Sequence, residues 1–310
     1  MPGSDTASEG RDAAPVTPGQ VDVVVVSYNS RDELRGCVAG LASDPGINVF
    51  VIDNASTDDS LGIVDDLPIR TIALERNGGF AHGCNVGWRS GDGPFVLFLN
   101  PDARIDADAI AGLRTVLEED PRCGACAPLT RNEDGSLQYC QRRFPRARST
   151  FARALFLHRA FPGAGWADET VRAPEAYAAR MEPEWVSGAC VMVRRSALQQ
   201  LNGLDEDFFM YSEDTDLCRR LWDAGYRIVY EPAACASHVG GASAPRAGLL
   251  PVLVGSRLRY ARKHHSRAYA LLDRIGLALE ELLRTILTPG GRAAREGHAR
   301  ALLVTLGLRN

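Results

Sequence analysis

Two groups of polar residues in this chain have the types and spacing to do chemistry. The first consists of four short segments, each directly after an apolar run: Ser27-Tyr28-Asn29-Ser30, Asp53-Asn54-Ala55-Ser56-Thr57-Asp58, Arg76-Asn77-Gly78-Gly79-Phe80 and Asn100-Pro101-Asp102. Taken singly, Ser30 and Thr57 read as helix caps and Asn77-Gly78 as a turn. Taken together, they are four sets of donors and acceptors that can converge on one ligand. The second group is Asp205, Glu206, Asp207, Glu213, Asp214 and Asp216, six acids within twelve residues and no Lys or Arg among them. Phe208, Phe209, Met210 and Tyr211 are interleaved with them. Apolar neighbours draw the segment inward, where an unpaired carboxylate is costly. A bound cation or a catalytic base accounts for these acids better than a solvated loop does. Glu213, Asp214 and Asp216 also suit the positive end of a helix that begins there.

The elements that must position these groups follow from periodicity. Val21–Val26, apolar but for Asp22, has the pattern of a strand buried on both faces, and Val49–Ile52, Ile69–Leu74 and Phe95–Leu99 read as the next three strands. Between them, helical spacing covers Leu34–Leu41, Ser60–Leu67, Phe80–Arg89 and Ile110–Leu117. The alternation predicts an α/β fold with a mostly parallel, doubly wound sheet and helices on both faces. In such sheets ligands bind beyond the carboxyl ends of the strands, where the four polar segments lie. Farther on, Trp185–Arg194 and Tyr226–Tyr230 read as strands, and Ala197–Leu201 and Leu217–Ala224 as helices. From about residue 249 the chain reads as a helical C-terminal extension. In it Leu271, Leu272, Ile275, Leu279, Leu282, Leu283 and Ile286 form an apolar stripe. Packing on the domain is the expected use of that stripe, and a membrane-surface helix is the alternative. The expected organisation is a disordered leader over 1–19, a domain over 20–248 divided near residue 130, and the helical extension over 249–310.

Composition narrows the function further. The 35 basic and 39 acidic residues leave a charge of -4, without the basic surplus of a nucleic-acid binder. No run of 18 apolar residues predicts a membrane span. The first twenty residues hold no apolar core of a signal peptide, so the eight cysteines read as buried free thiols in a reducing cytosol. Cys123-Gly-Ala-Cys126 has no second pair to complete a zinc site and reads as a strand. The usual nucleotide fingerprints are absent: no G-x-x-x-x-G-K-[ST] occurs, and no G-x-G-x-x-G follows the first strand. Gly78, Gly79, Gly83 and Gly87 follow the third strand instead, serving close approach either to a ligand or between packed elements.

Taken in order, Val25-Val26-Ser27-Tyr28-Asn29, Val51-Ile52-Asp53-Asn54-Ala55-Ser56-Thr57-Asp58, Asn77-Gly78-Gly79-Phe80-Ala81 with Gly83, Asn85 and Gly87, and Leu99-Asn100-Pro101-Asp102 form a recognisable series. Arg142-Arg143-Phe144-Pro145, Ser187-Gly188-Ala189-Cys190 and Phe209-Met210-Tyr211-Ser212-Glu213-Asp214-Thr215-Asp216-Leu217 continue it. The series, spanning about residues 21–265, resembles the family 2 glycosyltransferases and, within them, the bacterial rhamnosyltransferase-like group. The resemblance implies a GT-A fold, an inverting mechanism, a nucleoside-diphosphate sugar donor and a divalent cation, Mn²⁺ or Mg²⁺. It implies that Asp53 accepts the imide N–H of uracil or thymine, a role suited to an acceptor-only carboxylate. Asn100-Pro101-Asp102 stands where the family has a D-x-D metal motif, so Asp102 is left as its one strong ligand. Asp214 matches the catalytic base, which takes the proton of the acceptor hydroxyl. His238 matches a downstream metal ligand, and Gly240-Gly241 after it permits close backbone approach. Ser27, Tyr28, Asn29, Asn77, Asn85, Asn100 and Glu213 complete the expected nucleotide-sugar set.

The expected reaction is transfer of L-rhamnose from dTDP-L-rhamnose, or of a hexose from a UDP-sugar, to a saccharide or a polyprenyl-diphosphate-linked glycan in surface-polysaccharide synthesis. The expected location is the cytoplasm, with peripheral membrane contact through residues 257–287. Arg257, Arg259, Arg262, Lys263, His264 and His265 form a basic stretch that suits a diphosphate or anionic lipid, or a solvated helical face. Two other readings stand beside this one. A nucleotidyltransferase would carry a basic, Gly-rich loop after the first strand, where this chain has Ser27-Tyr28-Asn29. A catalytically silent carbohydrate-binding protein would not need Asp53, Asp102 and Asp214 together.

Overall fold

The computed structural model describes residues 21–240, 246–287 and 291–308. The leader expected over 1–19 and the second glycine of Gly240-Gly241 lie outside them.

The first half is regular. β1 (Val21–Ser27), β2 (Ile47–Asp53), β3 (Arg70–Ala73) and β4 (Phe95–Leu99) are parallel, with β1 at the centre between β2 and β4. Helices α1 (Arg31–Val38) and α2 (Phe80–Arg89) connect them. Val21, Val23 and Val25 pack into one hydrophobic layer with Leu34 and Val38 of α1, while Val24 and Val26 pack into the other with Ala81 and Cys84 of α2. Both faces of β1 are therefore buried, which is why its sequence does not alternate. The expected helix at 60–67 is only a 3₁₀ turn over Gly62–Val64.

The second half departs from a parallel sheet. It contains β5 (Ala103–Ile105), α3 (Ala107–Glu119), β6 (Cys123–Arg131), β7 (Gln141–Arg142), α4 (Ala147–Ala154), α5 (Leu157–Ala160), α6 (Glu175–Ala178), β8 (Trp185–Val186), β9 (Cys190–Arg194), α7 (Arg195–Leu201), α8 (Glu213–Asp223) and β10 (Arg227–His238). The eight-stranded order is β3-β2-β1-β4-β9-β6-β10-β5, and β7 pairs separately with β8. β9 runs antiparallel between β4 and β6, and β5 is antiparallel to β10 at the edge. The sheet is thus mixed but mostly parallel, six strands running one way and β9 and β5 against them, with helices on both faces as expected. β6 and β10 are parallel to each other and share the direction of β4, so the ends of β1, β2, β4 and β10 reach the same edge.

Two strands have other limits than their apolar runs indicate. The stretch 185–194 breaks at Ser187–Ala189, where the backbone turns aside to bond a carboxylate. β10 continues to His238 past a register shift between Glu231 and Cys235. Cys123 and Cys126 are buried free thiols in β6. Burial pushes the Cys123 thiol up to about 12, far from the thiolate that a metal needs.

Three helices close the chain: α9 (Arg246–His264), α10 (Arg267–Leu287) and α11 (Gly291–Leu306). They pack on one another, and α10 also packs on α4. The expected inward packing of the α10 stripe is overturned. Leu271, Leu272, Ile275, Leu282 and Ile286 are exposed, whereas Asp273, Glu280 and Glu281 are buried. The carboxylates face inward because their partners are there: Arg257 of α9 lies 3.7 Å from Asp273, Arg153 of α4 lies 2.7 Å from Glu280, and His298 of α11 lies 2.7 Å from Glu281. Among the described residues no helix is long and apolar enough to cross a membrane.

Candidate functional site

Three strand ends and two loops make the floor of the site. Ser27 ends β1 with its hydroxyl buried and without a hydrogen-bond partner. The Asn54 N–H donates to its carbonyl at 2.7 Å. Asn29 takes a left-handed φ of 52°, and its side-chain oxygen accepts from the Thr57 N–H at 2.8 Å. Tyr28 is exposed beside it. Asp53 ends β2, buried, its carboxylate accepting from the Ser56 hydroxyl at 2.5 Å and the Ser56 N–H at 3.0 Å. Asn77 accepts from Asn54 at 2.9 Å and from Gly79 N–H at 3.0 Å. Asn54 accepts in turn from Gly78 N–H, so the two amides clamp the glycine turn. At Gly79, φ is 90° and a β-carbon would meet the Phe209 carbonyl at 2.3 Å. Only glycine lets the start of α2 dock there.

Asp102 and His238 form a pair at the end of β4 and β10. Asp102 Oδ1 lies 3.1 Å from His238 Nε2, and Asn100 Nδ2 lies 3.3 Å from the same nitrogen. The other ring nitrogen, Nδ1, lies 3.1 Å from Gln138 Oε1, an acceptor that fixes the proton on Nδ1. Nε2 donates to Asp102 when it is protonated and would offer its lone pair to a cation when it is not. Burial alone would raise the Asp102 pKa; the hydrogen bond and charge of His238 and the charge of Arg104 reverse that and hold it below the ordinary value.

Two ligands at right angles on an ion about 2.1 Å away stand about 3 Å apart. The Asp102–His238 spacing therefore suits adjacent positions on one cation, with Gln138 as the outer partner that orients the imidazole. Among the described residues no group of three or more His, Cys, Asp and Glu side chains could hold a metal. A cation here needs other oxygens, such as those of a diphosphate.

The acidic segment enters α8 through strained backbone. Tyr211 and Ser212 have φ of 68° and 65°, both left-handed without being glycine. This sets Glu213 and Asp214 on the first turn of α8. Asp214 Oδ2 accepts the Gly188 N–H at 3.0 Å, and Oδ1 accepts the Thr215 N–H at 2.7 Å and its hydroxyl at 3.2 Å. A β-carbon at Gly188 would crowd that of Asp214 at 3.2 Å. Burial raises the Asp214 pKa against these bonds and the charge of Arg142. Glu213 lies deeper, with Oε2 unpartnered among Phe80, Phe98 and Leu217. Burial first, then the charge of Asp214, raises its pKa well above the ordinary carboxylate range. Of this pair, Asp214, with three donors, is the better placed to carry charge.

A line of bonds connects the two centres. Gly188 N–H holds Asp214, and Ala189 C=O accepts from Asn100 N–H at 2.9 Å, next to the Asp102–His238 pair. Ser27, Asp53, Asn100, Asp102, Asp214 and His238 thus come to one edge. Asn85 does not join them. Its amide donates to Leu204 C=O and Glu206, and its oxygen accepts from Trp88 and Leu204 N–H, so packing accounts for it fully.

Three residues of the basic stretch are spent on partners within the protein, while Arg262 stays exposed. Arg257 is buried against Glu169, Lys263 bonds Asp205 and Asp216, and His264 bonds Asp216 at 2.7 Å. Asp216, grouped by sequence with acids suited to a cation, a base or a helix terminus, anchors α9 to the first turn of α8. Gln138 was not singled out, since an amide outside any motif carries no signal until the fold brings partners to it.

Comparison with known proteins places the chain among sugar-transferring enzymes. Residues 22–201 match glycosyl transferase family 2, and residues 171–238 match the N-terminal domain of galactosyltransferase. The N-acetylglucosaminyl-diphospho-decaprenol L-rhamnosyltransferase of Mycobacterium tuberculosis is 34% identical over 236 residues, 70% of this chain and 75% of that protein. Rhamnosyltransferase WbbL of Escherichia coli is 29% identical over 236 residues, 70% of this chain and 83% of its own length. Among solved structures, the mannosyltransferase PcManGT of Pyrobaculum calidifontis, in complex with GDP-Man and Mn²⁺, superposes with a TM-score of 0.58 at 17% identity, covering 98% of this chain and 90% of that one. At that identity the likeness speaks for the fold, which is GT-A.

Proposed function

The chain belongs to glycosyl transferase family 2 and is rhamnosyltransferase-like, and from that premise we propose that it moves L-rhamnose from dTDP-L-rhamnose to a hydroxyl of a saccharide carried on a polyprenyl diphosphate, in cell-wall polysaccharide synthesis. The observation that carries the reading is the Gly188–Ala189 bridge, which ties a proton-accepting carboxylate to a cation-suited Asp–His pair. The two relatives named as rhamnosyltransferases support the sugar, and the decaprenyl-diphosphate acceptor of one supports the lipid carrier. A nucleotidyltransferase loses its support with the family.

Each residue has work in this reading. Asp53 accepts the imide N–H of the pyrimidine, and the unpartnered Ser27 hydroxyl supplies a buried donor or acceptor at the same strand end. Asp102 and His238 hold a divalent cation, with Asn100 beside them; Mn²⁺ suits a mixed oxygen and imidazole set better than Mg²⁺ does. When bound, that ion stabilises negative charge on the leaving diphosphate. Asp214 takes the proton of the attacking hydroxyl, its basicity raised by burial. Glu213 lies behind it, its pKa raised well above the ordinary carboxylate range by burial.

The test is release of nucleoside diphosphate from dTDP-L-rhamnose and from UDP-sugars, with and without Mn²⁺. It is run with a polyprenyl-diphospho-saccharide acceptor and without one. Acceptor-stimulated release of dTDP is expected; equal or greater turnover of a UDP-sugar would overturn the donor assignment.

A further inference from the structure

Helix α10 is inside-out for a soluble protein. Its outer face carries Leu271, Leu272, Ile275, Leu282 and Ile286 at 57, 47, 52, 43 and 60% exposure, while Asp273, Glu280 and Glu281 on its inner face are at most 5% exposed. These positions recur at helical spacing, so they make one apolar strip over residues 271–286 of the helix. A strip of this kind marks an interaction surface.

Charge identifies the occupant. Residues 246–310 hold twelve Arg and Lys against four Asp and Glu, whereas residues 1–245 hold 23 against 35. The C-terminal helices are thus a cationic layer on an anionic body. Three of their four acids are the buried ones on α10, and Glu296 is paired with Arg292. What this layer offers outward is apolar and basic: Arg262, Arg267 and Arg300 are all exposed. Two copies packed face to face would oppose like charges. Residues 1–20 contain no apolar run to cover the strip.

We propose that α10 lies in the surface of an anionic lipid bilayer, its leucine strip among the acyl chains and the surrounding arginines at the headgroups. The layer is joined rigidly to the chemistry. Asp216, two residues from Asp214 on α8, is bonded by Lys263 and His264 of α9, and Ser256 donates to Met210 C=O at 2.7 Å. A lipid-bound C-terminal layer would hold the acceptor side of the site at a fixed height over the membrane.

The experiment is co-sedimentation of the full chain with phosphatidylglycerol vesicles and with phosphatidylcholine vesicles, alongside the I275Q/L282Q double variant. Both positions are exposed, so the variant should keep the wild-type unfolding temperature and rate of nucleoside diphosphate release. The wild type is expected to pellet with phosphatidylglycerol at low salt. Binding should weaken as salt screens the arginines, and should fall on the order of tenfold or more both on phosphatidylcholine and in the variant, which loses two apolar anchors. Wild type left in the supernatant at low salt overturns the proposal. So does a variant that pellets as well as wild type, since charge alone would then be the attraction. A lipid-free dimer that the substitutions dissociate, without vesicle binding, would make a second copy the occupant instead. The readout needs neither donor nor acceptor, so its failure and that of the transfer reading are separate results.

Discussion

Replacing Asp214 with Asn keeps the size of the side chain and removes its basicity. The carboxylate accepts three bonds, two from Thr215 on one oxygen and one from Gly188 on the other. An amide has one oxygen. With that oxygen toward Thr215, its NH₂ faces the Gly188 N–H at the 3.0 Å of the present bond, and one donor loses its acceptor at about 1–3 kcal/mol. The amide no longer carries charge into a half-buried site, which offsets that loss, so the unfolding midpoint should stay near wild type. Turnover should not. A general base contributes roughly 10²–10⁴ in rate, or about 2.7–5.5 kcal/mol of barrier. The assay is initial-rate nucleoside diphosphate release at saturating donor, with donor affinity measured by calorimetry. In wild type, turnover should rise with pH as Asp214 loses a proton held above the ordinary carboxylate value, and this limb should vanish in D214N. Turnover within tenfold of wild type, or an unchanged acid limb, would refute the assignment of Asp214 as base.

Three further substitutions test the other groups. D53A should weaken nucleoside diphosphate binding, by about tenfold for one lost charged acceptor, and equal calorimetric affinity would place the pyrimidine elsewhere. H238A should raise the Mn²⁺ concentration needed for half-maximal release with maximal turnover less affected; an unchanged Mn²⁺ titration would make His238 a packing residue. D216A strips a buried carboxylate from Lys263, His264 and Arg220 and should cost about 3–5 kcal/mol in urea unfolding. Burial opposes ionisation of Asp216, but the bond from His264 and the charges of Arg220 and Lys263 hold its pKa below normal. Its stabilisation is therefore full above the unfolded pKa of about 3.9 and is lost as pH falls through the lower folded value. A wild-type-to-D216A gap that stayed constant down to pH 2 would contradict this ion cluster.

The parts of the fold legible in the sequence are those where one kind of burial decides. β1 and β4 lie between two hydrophobic layers, so every position of β4 and all of Val21–Val26 but the buried Asp22 are apolar, and the runs announce themselves. Their ends were legible because polarity begins where the layers stop. β5, β9 and the end of β10 were harder. β5 is three residues at an edge, β9 is separated from β8 by a turn made to reach Asp214, and β10 passes Pro232 and a register shift before reaching His238. In each case a tertiary contact, not local periodicity, sets the limit.

Helix α10 shows the same limit for orientation. Its periodicity fixes that one face is apolar but not which side of the protein that face takes. Arg153, Arg257 and His298 decide it from three other helices, because each buried cation or imidazole needs a buried acid. Lys263 and His264 behave alike. Read along the chain they are part of a basic patch awaiting an anion; in the fold the anion is Asp216, on the helix that carries the proposed base. Unpaired basic charge and unpaired apolar surface are properties of the packed molecule. The arginines and leucines that matter for a lipid surface are the ones the interior leaves over. Arg262 and Arg267 remain exposed while Arg257 is consumed, and Leu271, Leu272 and Leu282 of α10 remain exposed while its acids are consumed. Arg257 ties α10 to α9, and Lys263 and His264 of that same helix fasten α9 to α8, so the surface left for lipid and the position of Asp214 both depend on charges carried by α9.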